Sequence, residues 1–243
     1  MDGRTSIQAK RSKTVFLHIG THKTGTTSIQ NFLVQNAEAL QQERILIPSA
    51  GRYLDGHHHI AWELRNDARL EGRTGYVQQL IDELQATSLE TAVVSSEDFE
   101  YLSQYPDILK GFTEALRKAG IEPVFVVFFR EQKAYLASLA AALANHGVRR
   151  AADWYSGELE ENGAILVNKD WFFDFDRDRF VSRWVGITGA RLVVCDYSAC
   201  SEGDGVVPAF LKLLAVSEAM IARARSWPRL NARDVANIKG LAG

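Results

Sequence analysis

Apolar residues along the chain fall into short unbroken runs that alternate with stretches of helical period. The segments TVFLHI (14–19), TAVVSS (91–96), PVFVVFF (123–129) and ARLVVC (190–195) are β-rich and too continuous for a strand with one wet face. They predict strands buried on both faces of a parallel sheet. A further short strand is predicted at 45–47, just before Pro48. Between these runs, Ile29, Phe32, Leu33 and Leu40 follow a helical stripe. Helices are also expected from about His59 to Ala86, broken near Gly72 and Gly75, and over 107–119, closed by Gly120. Others follow at 131–145, stopped by Gly147, at 176–185, and from about Val206 to the end. Residues 149–175 are rich in Trp, Tyr and Phe but show no period, and predict a lid or a substrate-side insertion. The alternation implies an α/β fold, a parallel β-sheet flanked by helices in three layers. Ligands of such sheets sit beyond the carboxyl ends of the strands. Gly20, Glu97, Arg130 and the segment after Cys195 all fall at those ends.

The chain has 243 residues, 46% hydrophobic and 24% charged, which allows one sizeable core. A polar tail over 1–12 and a single domain over 13–243 are expected. A net charge of −2 argues against a general nucleic-acid binder. Two cysteines, Cys195 and Cys200, do not make a disulfide framework and read as reduced thiols. The N-terminus lacks the apolar stretch of a secretory signal, and no apolar run reaches transmembrane length. A cytoplasmic protein with no transmembrane segment is the expectation.

Chemistry concentrates in HIGTHKTGTTSIQ, His18 to Gln30. Gly20 and Gly25 have the G-x-x-x-x-G spacing of a Walker A loop, but Thr26 fills the slot where a nucleotide triphosphatase carries lysine. The lysine is Lys23, inside the turn. A glycine-rich turn between strand and helix presents successive backbone N–H groups to an anion, and the helix N-terminus adds partial positive charge. Thr24, Thr26, Thr27 and Ser28 add hydroxyls, and His22 flanks the loop. A plain solvated turn is the alternative.

The run Lys23-Thr24-Gly25-Thr26-Thr27 resembles the 5′-phosphosulfate loop of sulfotransferases that use 3′-phosphoadenosine 5′-phosphosulfate (PAPS). In that family a later strand ends in arginine, followed eight positions on by serine, and the two bind the 3′-phosphate. Arg130 and Ser138 have that spacing in VVFFREQKAYLAS. The family's catalytic base ends the preceding strand, where AVVSSED places Glu97. Tyr197, after a late strand, matches a residue that neighbours adenine. Two departures stand out: Ser28 replaces the family's adenine-stacking tryptophan, and its C-terminal Arg-Lys-Gly motif is missing.

The resemblance implies a P-loop NTPase-like (sulfotransferase) three-layer fold with PAPS as co-substrate. It implies in-line sulfuryl transfer, Lys23 donating to the oxygen that leaves sulfur and Glu97 deprotonating an acceptor hydroxyl. A sulfuryl group carries less charge than a terminal phosphoryl group, so no metal is expected. A glutamate base resembles the glycan branch, which makes a carbohydrate the first acceptor to consider. Glu97 also suits a helix N-cap or an ion pair, and Arg130 an ion pair with Glu131 or Asp98. The triplet His57, His58 and His59 points in several directions, so it is poorly suited to one metal; one member is a candidate for the acceptor pocket. The aromatics Trp154, Tyr155, Trp171, Phe172 and Phe173 read as core before sugar platform. Two rivals remain: a P-loop kinase or ATPase with Asp98 as metal ligand, and a non-catalytic nucleotide-binding domain.

Overall fold

The computed structural model describes residues 13–168 and 171–230. The tail expected over 1–12, and the end of the helical run expected beyond Val206, lie outside the described residues.

Five strands form one sheet: β1 (Lys13–His18), β2 (Ile45–Leu46), β3 (Thr91–Ser95), β4 (Ile121–Phe129) and β7 (Arg191–Asp196). Their order is β2-β3-β1-β4-β7 and every pairing is parallel. All carboxyl ends therefore share one edge. Strand period explains the layering. Val15, Leu17, Ala92, Val94, Phe125 and Val127 face one core, while Val93, Val126 and Phe128 face the other.

Helices α3 (His58–Leu64), α4 (Tyr76–Ala86), α5 (Pro106–Lys118) and α8 (Arg177–Thr188) contribute to the first core. Helices α1 (Thr26–Gln35), α2 (Ala37–Gln42), α10 (Val206–Leu213) and α11 (Glu218–Arg225) contribute to the second. The result is a three-layer α/β sandwich around a parallel sheet. On α5, Leu109, Phe112 and Leu116 recur on one face and are buried. Burying each contributes about 1.5–3 kcal/mol. Pro106 opens α5 and Gly120, at φ 77°, follows its end. Helix α6 (Gln132–Asn145) is capped by the Glu131 carboxylate, which accepts from the N–H groups of Lys133 and Ala134.

Within 149–175 the structure has α7 (Ala152–Asn162) and an antiparallel hairpin, β5 (Ala164–Asn168) with β6 (Trp171–Asp174). Sequence period misses α7 because its apolar face is only Trp154, Tyr155 and Leu159 among acidic neighbours. This unit packs Tyr155, Ile165 and Phe173 against Leu139 and Leu143 of α6, outside the main sheet. Helix α9 (Tyr197–Glu202) follows β7 directly. Among the described residues no helix is long and apolar enough to cross a membrane.

Candidate active site

The loop after β1 is sewn to β4. Ile19 N–H donates to Val126 O at 2.9 Å, Phe128 N–H to Gly20 O at 2.7 Å, and Thr21 N–H to Phe128 O at 3.0 Å. His18, beneath it, is fully buried, with Nδ1 2.8 Å from Ser95 Oγ. Burial pushes its pKa down to about 4, against a smaller opposing pull from Glu97. Past Thr21 the chain turns through left-handed backbone at Lys23 (φ 62°) and Gly25 (φ 80°). For a residue with a side chain such as Lys23 that conformation costs about 1–2 kcal/mol.

The turn leaves donors unengaged. Among the described residues, the N–H groups of Lys23, Thr24, Gly25, Thr26 and Thr27 reach no acceptor, and the Lys23 ammonium has no partner. Thr26 Oγ1 is buried without a hydrogen bond. Open N–H groups are usual at the start of a helix, but a buried hydroxyl without a partner is uncommon, and here the two converge at the N-terminus of α1. Gly25 has no room for a side chain: a Cβ there would meet Val206 Cγ1 at 2.8 Å and Tyr197 Cε2 at 3.3 Å. Two loop hydroxyls are already engaged. Thr24 donates to Thr21 O, and Ser28 Oγ lies 2.7 Å from Leu230 N and 3.2 Å from Leu230 O.

Arg130, just past β4, joins this group. Its Nη1 lies 3.4 Å from Lys23 O and its guanidinium 5.3 Å from the centre of the Tyr197 ring. The structure thus brings Lys23, Gly25, Arg130 and Tyr197 together. It gives Ser138 no such contact: that residue is half-buried on α6, and its hydroxyl bonds to no described residue.

Among the cavities beside the loop, two border Lys23 or Gly25. One, of about 280 Å³, is bordered by Gly25, Ser28, Tyr197 and Trp227. Trp227 stands edge-on to Phe32 and its Nε1 is buried without a partner. The other cavity, of about 400 Å³, is bordered by His22, Lys23, Glu97 and Asp98 and by aromatic and aliphatic side chains. Glu97 opens a 3-10 turn (Glu97–Gln104) and its Oε2 accepts from Gln30 Nε2 of α1 at 2.9 Å.

Behind Glu97 lies a network that sequence patterns do not reveal. Glu100, buried, accepts from His22 N–H at 2.7 Å and from His22 Nδ1 at 2.9 Å. His22 Nε2 is 3.2 Å from Tyr101 Oη. Burial alone would lower the His22 pKa, but the charge and hydrogen bond of Glu100, with Glu97 and Asp98, raise it. Asp98 accepts from Trp62 Nε1 and lies 3.6–3.8 Å from Arg69, His58 and His22. Burial opposes its charge, yet these neighbours outweigh burial and lower its pKa.

The histidine triplet divides three ways. Both ring nitrogens of His57 are engaged by backbone, Nε2 with Pro48 O at 2.9 Å and Nδ1 with Ser95 N–H at 3.1 Å, so this residue braces the core. Burial lowers its pKa to about 4. His59 packs on Tyr53, Trp62 and Tyr76. Only His58 borders the cavity, with Nδ1 2.8 Å from Ser96 Oγ. Of the aromatics in 149–175, Tyr155 stays in the core, while Trp171 and Phe173 also border the cavity.

A solved sulfotransferase from Alicyclobacillus acidocaldarius superposes on this chain with a TM-score of 0.51 and 15% sequence identity, covering 83% of this chain and 81% of that one. This likeness shows the fold. A second solved structure, from the PezAT chromosomal toxin-antitoxin system of Streptococcus pneumoniae, covers 88% of each chain at 14% identity, with a TM-score of 0.38 that carries no argument. No protein-family model matches the chain, and no curated protein sequence matches it significantly.

Proposed function

We propose that this chain transfers a sulfuryl group from PAPS to an acceptor hydroxyl. The observation that carries the reading is the loop between the two cavities. Among the described residues it holds a row of unengaged N–H donors, a buried Thr26 hydroxyl without a partner and a Lys23 ammonium without one. These donors fit a 5′-phosphate, and the missing side chain at Gly25 lets Val206 and Tyr197 pack beside the loop. Arg130 fits the 3′-phosphate, because a guanidinium binds phosphate through two parallel hydrogen bonds. Tyr197 and Trp227, on the smaller cavity, are the aromatic surfaces available to adenine where Ser28 stands for tryptophan.

The chemistry then divides between the two sides of Lys23. Glu97, held by Gln30, takes the proton of the acceptor hydroxyl as its oxygen bonds to sulfur. The bond from sulfur to the 5′-phosphate oxygen breaks, and its electron pair stays on that oxygen, where Lys23 meets the developing charge. Adenosine 3′,5′-bisphosphate and the sulfated acceptor are the products. The glutamate points to a glycan acceptor by resemblance alone, and the cavity walls bear separately on that choice.

A kinase reading needs Asp98 for a metal ion. Asp98 instead accepts from Trp62 and faces Arg69, His58 and His22, an environment already supplied with positive charge. Calorimetric titration separates the two readings. Binding of adenosine 3′,5′-bisphosphate that is unaffected by magnesium, with weak ATP binding, is the expected result. Magnesium-dependent ATP binding in preference to the bisphosphate would overturn the proposal.

A further inference from the structure

Of the charged groups around the larger cavity, Asp98, His58, His22 and Arg69 pair with one another or with Trp62, Glu100 and Asp67, which leaves Lys23 and Glu97 to meet a guest. The remaining walls come from Leu139, Ala142 and Leu143 of α6, from His146 just past it and edge-on to Trp171, and from Trp171 and Phe173 of β6. A sugar entering here would move several hydroxyls out of water against walls that are mostly apolar.

The mouth repeats this character. Tyr53 and Leu54 border it and are 47% and 37% exposed, among the few large apolar residues left in water. Leu54 occupies left-handed backbone (φ 56°), where Asn, Asp or Gly is the easier residue. It stands in a tight turn closed by Tyr53 N–H to Gly56 O at 2.8 Å and anchored by Asn31 Nδ2 to Asp55 Oδ2 at 3.0 Å. A leucine both exposed and strained marks a place where an apolar contact is made by something outside the chain.

We infer that the acceptor is a small hydroxyl compound with an apolar, ring-bearing body, its hydroxyl at Glu97 and Lys23 and its rings between Trp171, Ala142 and Leu54. A cavity of about 400 Å³ suits a small molecule enclosed on several sides. The assignment rests on the sulfuryl-transfer reading for the fate of the hydroxyl, and on the walls alone for the body.

The test uses the full chain saturated with adenosine 3′,5′-bisphosphate, with 2-naphthol and a neutral disaccharide as probes. Saturable naphthol binding is expected, followed by tryptophan fluorescence, with no binding of the disaccharide. Ala142→Trp fills the cavity from a half-exposed helical position and should weaken naphthol binding at least about tenfold, leaving bisphosphate affinity unchanged. Leu54→Asn should weaken it several-fold while leaving the melting temperature equal or higher, because asparagine suits the left-handed turn. Disaccharide binding in place of naphthol, or naphthol binding indifferent to both variants, overturns the inference. Variant-sensitive naphthol binding without transfer of labelled sulfate from PAPS leaves the cavity assignment standing and sinks the sulfuryl-transfer reading.

Discussion

Among the described residues, the donors of the turn from Lys23 to Thr27 are held without partners, while the charged groups across Lys23 are largely matched to one another. Among the described residues, the N–H groups from Lys23 to Thr27 reach no acceptor and the buried Thr26 hydroxyl is unpaired. Across Lys23, Asp98 is surrounded by Trp62, His58, His22 and Arg69, and Glu100 holds His22. The difference indicates what each side receives. Unpaired buried donors carry a cost that a bound anion removes, so the loop side suits a charged ligand. A self-paired network under mostly apolar walls asks little hydrogen bonding of its guest beyond Glu97, Lys23 and His146.

Substitutions can break this contrast, starting with the largest effect. Lys23→Ala should lower kcat by about 10³, the scale for losing one donor to developing charge, with a far smaller change in bisphosphate affinity. Equal losses in both would make Lys23 a binding residue only. Glu97→Gln should lower kcat by about 10² and leave bisphosphate affinity intact; single-turnover transfer from labelled PAPS reads this directly. Arg130→Ala should weaken the bisphosphate by about 10–100-fold, the cost of a charge-assisted hydrogen bond. It should abolish the preference for adenosine 3′,5′-bisphosphate over adenosine 5′-phosphate, and a retained preference would place the 3′-phosphate elsewhere.

The remaining effect concerns the scaffold under both sides. His18 and His57 are buried, and burial lowers each pKa from 6.5 to about 4. Between those values the unfolded chain binds more protons, so their contribution is fully present above 6.5 and falls as pH drops toward 4. At about 1.4 kcal/mol per unit the loss is at most about 3.5 kcal/mol from each. His22 runs the other way: its raised pKa adds stability below 6.5 that is lost as pH rises through the folded value. Urea midpoints across this window should fall on acidification, and His57→Gln should flatten the fall; a flat profile in the unsubstituted chain would contradict the assignment of both rings as buried and neutral.

The two sides also differ in how far a sequence discloses them. The loop is contiguous, so its glycine spacing, hydroxyls and displaced lysine can be read directly, and the parallel strands announce themselves as apolar runs. Arg130 and Glu97 are visible because strand ends share one edge of a parallel sheet. The larger cavity is assembled from α3, α6, β6 and the Tyr53–Gly56 turn, residues that only tertiary packing brings together. Trp62 and Leu54 carry no local mark of a site, and Trp227 reaches Ser28's neighbourhood from the far end of the chain. His57 looks like part of a polar triplet, yet its ring is consumed by backbone groups from Pro48 and Ser95.

The most direct test is a crystal structure of the chain with adenosine 3′,5′-bisphosphate. The 5′-phosphate is expected within hydrogen-bond distance of the N–H groups from Lys23 to Thr27, with the Lys23 ammonium over its sulfur-facing oxygen and Arg130 on the 3′-phosphate. A bisphosphate bound away from this turn, or seated there with Lys23 directed off the phosphate, would contradict the account.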